Sequence, residues 1–475
     1  MSAGGLRLQV LDDREIERIE RTALQLLANV GVSVAHRRAL ELLHGAGCRV
    51  DRGRVQIPPD ALQSGLGRLS RRIAFRSADG ATELALGDGA LRVHNMGGPA
   101  YVLDLETGAR RPALLKDAVD FARLLDGLAH VDVVIPIVDP QDVPPPVMRL
   151  ESWAATLRHC RKPLGGFTAE NPGEVRYAAA MAEACLGTAR PDSPVLSVAV
   201  SPTSPLRFTD AAAGAIVAAA EVGAQLVPLS APTLGAASPL SLAAGLALQH
   251  AEVLASLLLF ALARPGLPAM YASRISSLDM RSATSTWGGS TVGLAGAAAT
   301  QLAHHLGLAC DVYGLSSGSP HVDAQMAYEK CANAMLPALA GADVLSGIAF
   351  LDNGVVAGYD VAVFDDELVG LLKHTAQGCL ADDESLAYDL MSDVILADGN
   401  FLAEPHTVAQ IRQGRTWLPG LSRRSSEGSD VGLAGRARAR ARQILSTHEV
   451  EPLPEDAEQQ LSAILAQAYR ELVDD

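Results

Sequence analysis

Between residue 91 and about residue 383 the chain alternates between two patterns of apolar residues. Short runs rich in β-branched side chains end in Gly, Ser, Pro or Asp: LRVHNM, VDVVIPIV, PLGGFT, VLSVAV, AQLVPLS, PAMYAS, ACDVYGL and ADVLSGIAF. They read as buried strands. Stretches with apolar positions at helical spacing follow near 116–128, 150–160, 172–186, 208–222, 239–263, 289–306, 323–340 and 360–378. Eight strand–helix repeats predict an α/β protein with a closed (β/α)8 TIM barrel over 91–383. An open doubly wound sheet is the competing architecture, but no G-x-G-x-x-G opens a helix after the first strand. The first unit is irregular, because YVLDLETGARRPA inserts a hairpin before its helix.

The flanks carry a different rhythm. Residues 12–47 place Ile16, Ile19, Leu24, Leu27, Ala39, Leu42 and Leu43 at helical spacing, and RVDRGRVQIPPD reads as a small hairpin followed by a helix opened by proline. Residues 1–90 are therefore expected to form a cap of helices and a hairpin. Residues 384–475 are expected to form a helical extension, with the RARARAR stretch on the solvated face of a helix.

Composition narrows the chemistry. Hydrophobic residues make up 48% of the chain and aromatics 4%, so helices pack through small side chains and an aromatic at a strand end is informative. A net charge of −15 argues against a nucleic-acid groove, which needs clustered Lys and Arg. The cysteines at 48, 160, 185, 310, 331 and 379 show no CxxC pair and no zinc-like spacing, so no intrinsic metal is expected. No signal-like apolar region and no uninterrupted apolar run of 18 residues occurs, and a cytoplasmic protein without a membrane partner is expected.

In a barrel of this kind chemistry sits at the C-terminal ends of the strands. Those ends deliver Asn95, Met96 and a glycine pair with Tyr101; Asp139; Thr168; Ser201 with Thr203; Ser230; Tyr271 with Arg274; Tyr313 with Ser316 and Ser317; and Phe350 with Asp352. The lysines at 116, 162, 330 and 373 fall on helices or their edges, away from a Schiff-base position. GLSSGSP at 314–320 leaves a phosphate-binding loop open. Asp323 is either a ligand group or a helix cap. The glycines in VHNMGGPAYVLDLETG signal either a sharp turn or the close approach of a ligand.

The phrases GGPAYVLDLETGARRPA, VSPTSPLRF, YASRISSLDMRSA, DAQMAYEKCANAMLPALAGAD, FDDELVGLLKH and GNFLAEPHTV, in this order, resemble the trimethylamine methyltransferase family over roughly residues 12–425. The resemblance implies a barrel that hands a methyl group from a methylated amine to the cobalt of a corrinoid. That corrinoid (a cobalamin-type cofactor) is supplied by a separate partner protein, and a homo-oligomer is expected. No residue is assigned a catalytic role beyond aiming the methyl group. The family archetype uses pyrrolysine, whereas this sequence contains the twenty ordinary residues. It thus resembles the non-pyrrolysine branch, whose members demethylate quaternary amines such as glycine betaine, proline betaine and carnitine.

A quaternary ammonium leaves as a neutral tertiary amine, so the chain need only bind and aim it. A cation without N–H donors is held by aromatic faces and carboxylates. Tyr101, Tyr271, Tyr313 and Phe350 are the cage candidates, with Asn95 beside them and Trp287 closing over them. Asp139 or Asp352 would balance charge. Arg274 and the Asp352-Asn353-Gly354 run depart from the family pattern. A guanidinium suits a substrate carboxylate, so a betaine zwitterion is expected. The same fold acting on a tertiary amine or a methylated sulfur compound is one alternative, and a non-catalytic amine sensor is another.

Overall fold

In the computed structural model, which describes residues 6–187, 194, 196–379, 381–422 and 432–473, each β-branched run becomes one parallel stave. We number these β1 (Arg92–Asn95), β2 (residues 133–134), β3 (Gly166–Thr168), β4 (Ser197–Val200), β5 (Gln225–Ser230), β6 (Tyr271–Ser273), β7 (Cys310–Tyr313) and β8 (Val344–Ile348). A continuous parallel sheet runs from β3 through β8 to β1. The ring is closed at β2 by single parallel bridges, His94 to Val133 and Val134 to Leu164. Pro136 lacks an N–H and interrupts the ladder there. Asn95 replaces the missing bonds: its Oδ1 accepts from Ile135 N at 2.9 Å and its Nδ2 donates to Ile135 O at 2.9 Å.

Strand alternation divides the core into two layers. Val133, Ala199, Val227, Met270, Ala272 and Val344 face inward and pack with Ile73 and Phe75. Phe75 comes from the N-terminal strand Ala74–Ser77, which pairs with Pro163–Leu164 just before β3. The N-terminal segment therefore plugs the lower end of the barrel. Outward residues pack on the helices, among them Leu242–Ala263, which is long and apolar enough to cross a membrane but is buried within the fold. One cluster of buried residues runs from Ile16 to Ala468. The arginine stretch lies on the helix Leu433–Thr447 and docks rather than only facing water: Arg438 pairs with Asp360 at 3.2 Å and Arg442 with Glu106 at 2.8 Å.

The loops after β7 and β8 are held by an ion pair with no solvent exposure. Lys330, on the helix Ala324–Leu339, lies 2.9 Å from Asp365 on the helix Tyr359–Ala376. The ammonium also donates to Leu315 O at 2.6 Å, and Asp365 Oδ2 accepts from Ala349 N at 2.8 Å. Leu315 and Ala349 are both non-glycine residues with left-handed backbone, φ 53° and 71°. Such residues cost about 1–3 kcal/mol each and persist only where the surroundings hold them. Lys330→Met strands the carboxylate and is expected to lower unfolding free energy by about 3–5 kcal/mol in urea titrations. Lys330→Met with Asp365→Asn removes the stranded charge and keeps an acceptor for Ala349, so it should recover at least half of the loss; a double variant no more stable than the single one would refute this role.

Candidate functional site

β7 turns Asp311 and Tyr313 inward, while Cys310 and Val312 pack in the outer core. Just past β8, Phe350 is fixed in the hairpin Phe350–Leu351/Val356–Gly358. Trp287 precedes the helix Ser290–His305. Its N–H donates to Asn353 Oδ1 at 3.0 Å and its carbonyl accepts from Ser316 Oγ at 2.6 Å. These elements bring three rings into one corner. Centroids are 5.0 Å apart for Trp287–Tyr313, 5.6 Å for Tyr313–Phe350 and 6.3 Å for Trp287–Phe350, with interplanar angles of 64°, 81° and 54°. The Asp352-Asn353-Gly354 turn that supports them is left-handed throughout, φ 48°, 55° and 86°. At Gly354 a Cβ would lie 3.0 Å from the Phe350 ring, so glycine is required there.

Below the rings lies a buried charge cluster. Arg274 Nη2 meets Asp311 Oδ1 at 2.7 Å, and His94 Nε2 lies 3.3 Å from Asp311 Oδ2. Burial pushes the Asp311 pKa up, but Arg274 and His94 outweigh it and hold it at about 2. Arg274 Nη1 donates to Ser273 O at 3.0 Å and Asp311 O at 2.9 Å, and the guanidinium sits 4.6 Å above the Tyr313 ring. The cation is therefore neutralised and fixed in place.

Across the mouth, Gly97, Gly98, Asp139, Arg149, Thr168 and Glu170 line a cavity of about 220 Å³. Arg149 reaches Glu170 at 2.6 Å, Glu174 at 3.3 Å and Asp139 at 3.7 Å. Burial raises the Asp139 pKa to about 6, against the pull of Arg149. A Cβ on Gly97 would come within 3.1 Å of Pro136 O, and Gly98 turns at φ 89°. The glycine pair is thus both a sharp turn and a close approach.

The expected site residues separate into groups. Arg274, Trp287, Tyr313 and Phe350 converge. Tyr101 and Asp352 meet on the rim through Arg110, which lies 4.2 Å over the Tyr101 ring and 2.9 Å from Asp352. Asp139 stands at the opposite cavity. Two residues point elsewhere. Tyr271 lies between inward-facing Met270 and Ala272, so its ring points into the helix layer, where its hydroxyl meets His250 at 2.8 Å and Gln249 at 3.0 Å. Asn95 is spent on the β1–β2 seam. Asp323 caps its helix through Met326 N. Sequence reasoning passed over His94, Asp311 and Arg149. Asp311 was detectable as a charge within a strand, two residues before Tyr313 and hence on the same face.

Among the described residues, His304, Cys310 and Asp343 make the one grouping of metal-ligand types. It lies at the far end of β7 from the mouth, with His304 and Asp343 already bonded at 2.9 Å.

Asp139 gives the site a pH signature. Its folded pKa lies above the ordinary 3.8, so the protonated form favours folding and that contribution is lost as pH rises through about 6. Asp139→Asn is expected to stabilise the fold at pH 8 by about 1–3 kcal/mol and much less at pH 4, measured by denaturant unfolding at both pH values. Equal effects at the two would contradict the assignment.

The model of the family described as trimethylamine methyltransferase (MTTB) matches residues 4–472. Trimethylamine methyltransferase MttB of Desulfitobacterium hafniense strain DSM 10664 / DCB-2 is 28% identical, covering 98% of this chain and 95% of the relative. Glycine betaine methyltransferase of D. hafniense strain Y51 is 27% identical over 98% of both. Among solved structures, the hydroxylamine complex of MtmB superposes with a TM-score of 0.51 at 12% identity, covering 99% of this chain and 96% of the other. The Methanosarcina barkeri monomethylamine methyltransferase MtmB does so at 0.50 and 13%, with the same coverage. At that identity the likeness concerns the fold. From the match along nearly its whole length, the chain belongs to the trimethylamine methyltransferase family.

Proposed function

We propose that the chain transfers a methyl group from a betaine-type quaternary ammonium zwitterion to a corrinoid carried by a separate protein. The observation that carries this reading is the corner of Trp287, Tyr313 and Phe350 beside Arg274. The three rings pack edge to face with centroids 5.0–6.3 Å apart, and the part-exposed Trp287 and Tyr313, backed by Phe350, offer an aromatic surface to a cation within the ~6 Å reach of cation–π attraction. An ammonium without N–H donors finds its best partner there.

Arg274 supports the zwitterion. A guanidinium has about five N–H donors, and its recorded bonds to Asp311 and two carbonyls occupy three of them. The rest are free to take a carboxylate. Asp311 cancels the charge that would otherwise repel the ammonium. The kinship to a relative named for glycine betaine points the same way, and no residue here needs to move a proton, because the amine leaves neutral.

When the partner delivers it, the corrinoid supplies the cobalt nucleophile. The chain's part is to bind, orient and keep water out. Gly97 and Gly98 leave one side of the mouth free of side chains, where a large planar co-substrate needs room. Purified protein should methylate free cob(I)alamin with glycine betaine, read from the visible spectrum; no methylcobalamin with any betaine would refute the reading, and formation from trimethylamine alone would transfer it to tertiary amines. By calorimetry, Phe350→Ala and Trp287→Ala should each weaken betaine binding by about tenfold or more. Arg274→Ala should weaken betaine more than a quaternary cation lacking a carboxylate.

A further inference from the structure

The loops that follow β6, β7 and β8 meet at one side-chain amide. Trp287 directly follows the outer hairpin Ser276–Asp279/Thr284–Thr286, and Gly288 and Gly289 separate it from the helix Ser290–His305. Neither glycine can be exchanged for a residue that would pack: a Cβ on Gly288 would fall 2.4 Å from Glu329 Oε2, and Gly289 turns at φ 91°. Such a link is free to take many conformations, so the tryptophan has to be held by hydrogen bonds. Its carbonyl is held twice, by Ser316 Oγ at 2.6 Å and by Asn333 Nδ2 at 3.3 Å. Among the described residues its N–H has one acceptor, Asn353 Oδ1 at 3.0 Å.

Asn353 is itself fixed. Its N–H donates to Ser317 O at 3.0 Å, and the N–H of Asp352 donates to Ser319 O at 2.8 Å, so the turn after β8 is laced to the loop after β7. Gly318 leaves room for the amide, since a Cβ there would lie 3.1 Å from Asn353 Oδ1. The left-handed backbone of Asn353, φ 55° and ψ 31°, is one that glycine, asparagine and aspartate adopt most readily. Phe350 stands three residues earlier, in the hairpin that this turn closes. One amide therefore ties the tryptophan wall of the aromatic corner to the phenylalanine wall.

We propose that Asn353 is a specificity-determining positioning residue: acting through Trp287, it holds the ring at the spacing from Phe350 that fits a trimethylammonium head. The inference rests on the betaine reading above. Attraction between a cation and a ring fades beyond about 6 Å, and a wall already in place needs no ordering when the ligand arrives. A tethered wall also clashes with a bulkier head that a loose one would admit.

Two variants separate the amide from the backbone. Asn353→Gly removes the acceptor and keeps a residue suited to the turn, while Asn353→Asp keeps an oxygen in the same place. In calorimetry, Asn353→Gly should weaken glycine betaine by about fivefold or more, in line with the net contribution of one hydrogen bond. It should weaken the triethyl analogue of glycine betaine less, so that the preference for the trimethyl head falls; Asn353→Asp should restore that preference. A second readout needs no ligand. Of the three tryptophans, Trp153 is fully buried, so in a Trp417→Phe background acrylamide quenching reports on Trp287. Asn353→Gly should increase that quenching and Asn353→Asp should not. Unchanged quenching or an unchanged preference in Asn353→Gly overturns the proposal, as does an Asn353→Asp variant that behaves like Asn353→Gly. A native chain that binds neither betaine overturns the specificity together with the betaine reading, and the quenching then tells the hold on Trp287 apart from it.

Discussion

The Lys330–Asp365 pair is the constraint on which the site rests. Two loops leave β7 and β8 in backbone conformations that leucine and alanine adopt at a cost. Neither loop is held by packing alone, because each must leave its ring turned toward the mouth. A lysine and an aspartate from the two following helices bind one loop carbonyl and one loop N–H, and each other. Burial pushes the lysine pKa down and the aspartate pKa up, each opposed by the partner's charge. An isolated charge in that position would not stay ionised, so the pair works only as a pair. Tyr313 stands two residues before Leu315 and Phe350 directly after Ala349, so the pair anchors the loops beside both rings.

A second constraint is electrostatic. An arginine buried at this depth needs its charge cancelled, and Asp311 does so from the strand that also carries Tyr313, as the proposed cation site beside it requires. The spacing of two along β7 puts the carboxylate and the ring on one face, one layer apart. Arg274 stacks over that ring, so the same side chain stiffens an aromatic wall and presents donors beyond it. His94 ties the carboxylate to β1 across the barrel wall. The cluster couples residues of three staves, β1, β6 and β7.

Most of the fold was legible in the sequence because its signal is local. Each β-branched run and each helical stretch carries its own period, and the observed helices fall within a few residues of the expected spans, as at Pro172–Leu186 and Ala324–Leu339. The site was legible only in part, because strand-end position does not tell which face a side chain takes. Tyr313 and Tyr271 looked alike as aromatics at strand ends; the inward register of Met270 and Ala272 sends Tyr271 into the helices. Asn95 looked like a ligand group, and its bonds to Ile135 answer a missing ladder bond at Pro136, about forty residues away in the chain. Ion pairs such as Arg149 with Glu170 and Glu174 join separate units, and no local period encodes them.

The segment from Asp383 to Arg412 differs from the rest of the C-terminal extension. Its helices have the apolar positions of packed elements, and sequence alone places them in that helical extension. The structure leaves those positions in water while the neighbouring helices Leu433–Thr447 and Glu455–Leu472 bury theirs. A chain that carries its apolar surplus at one end of a barrel and its aromatic corner at the other keeps the two surfaces from competing. At the mouth a partner meets Arg110, Arg149 and a glycine turn.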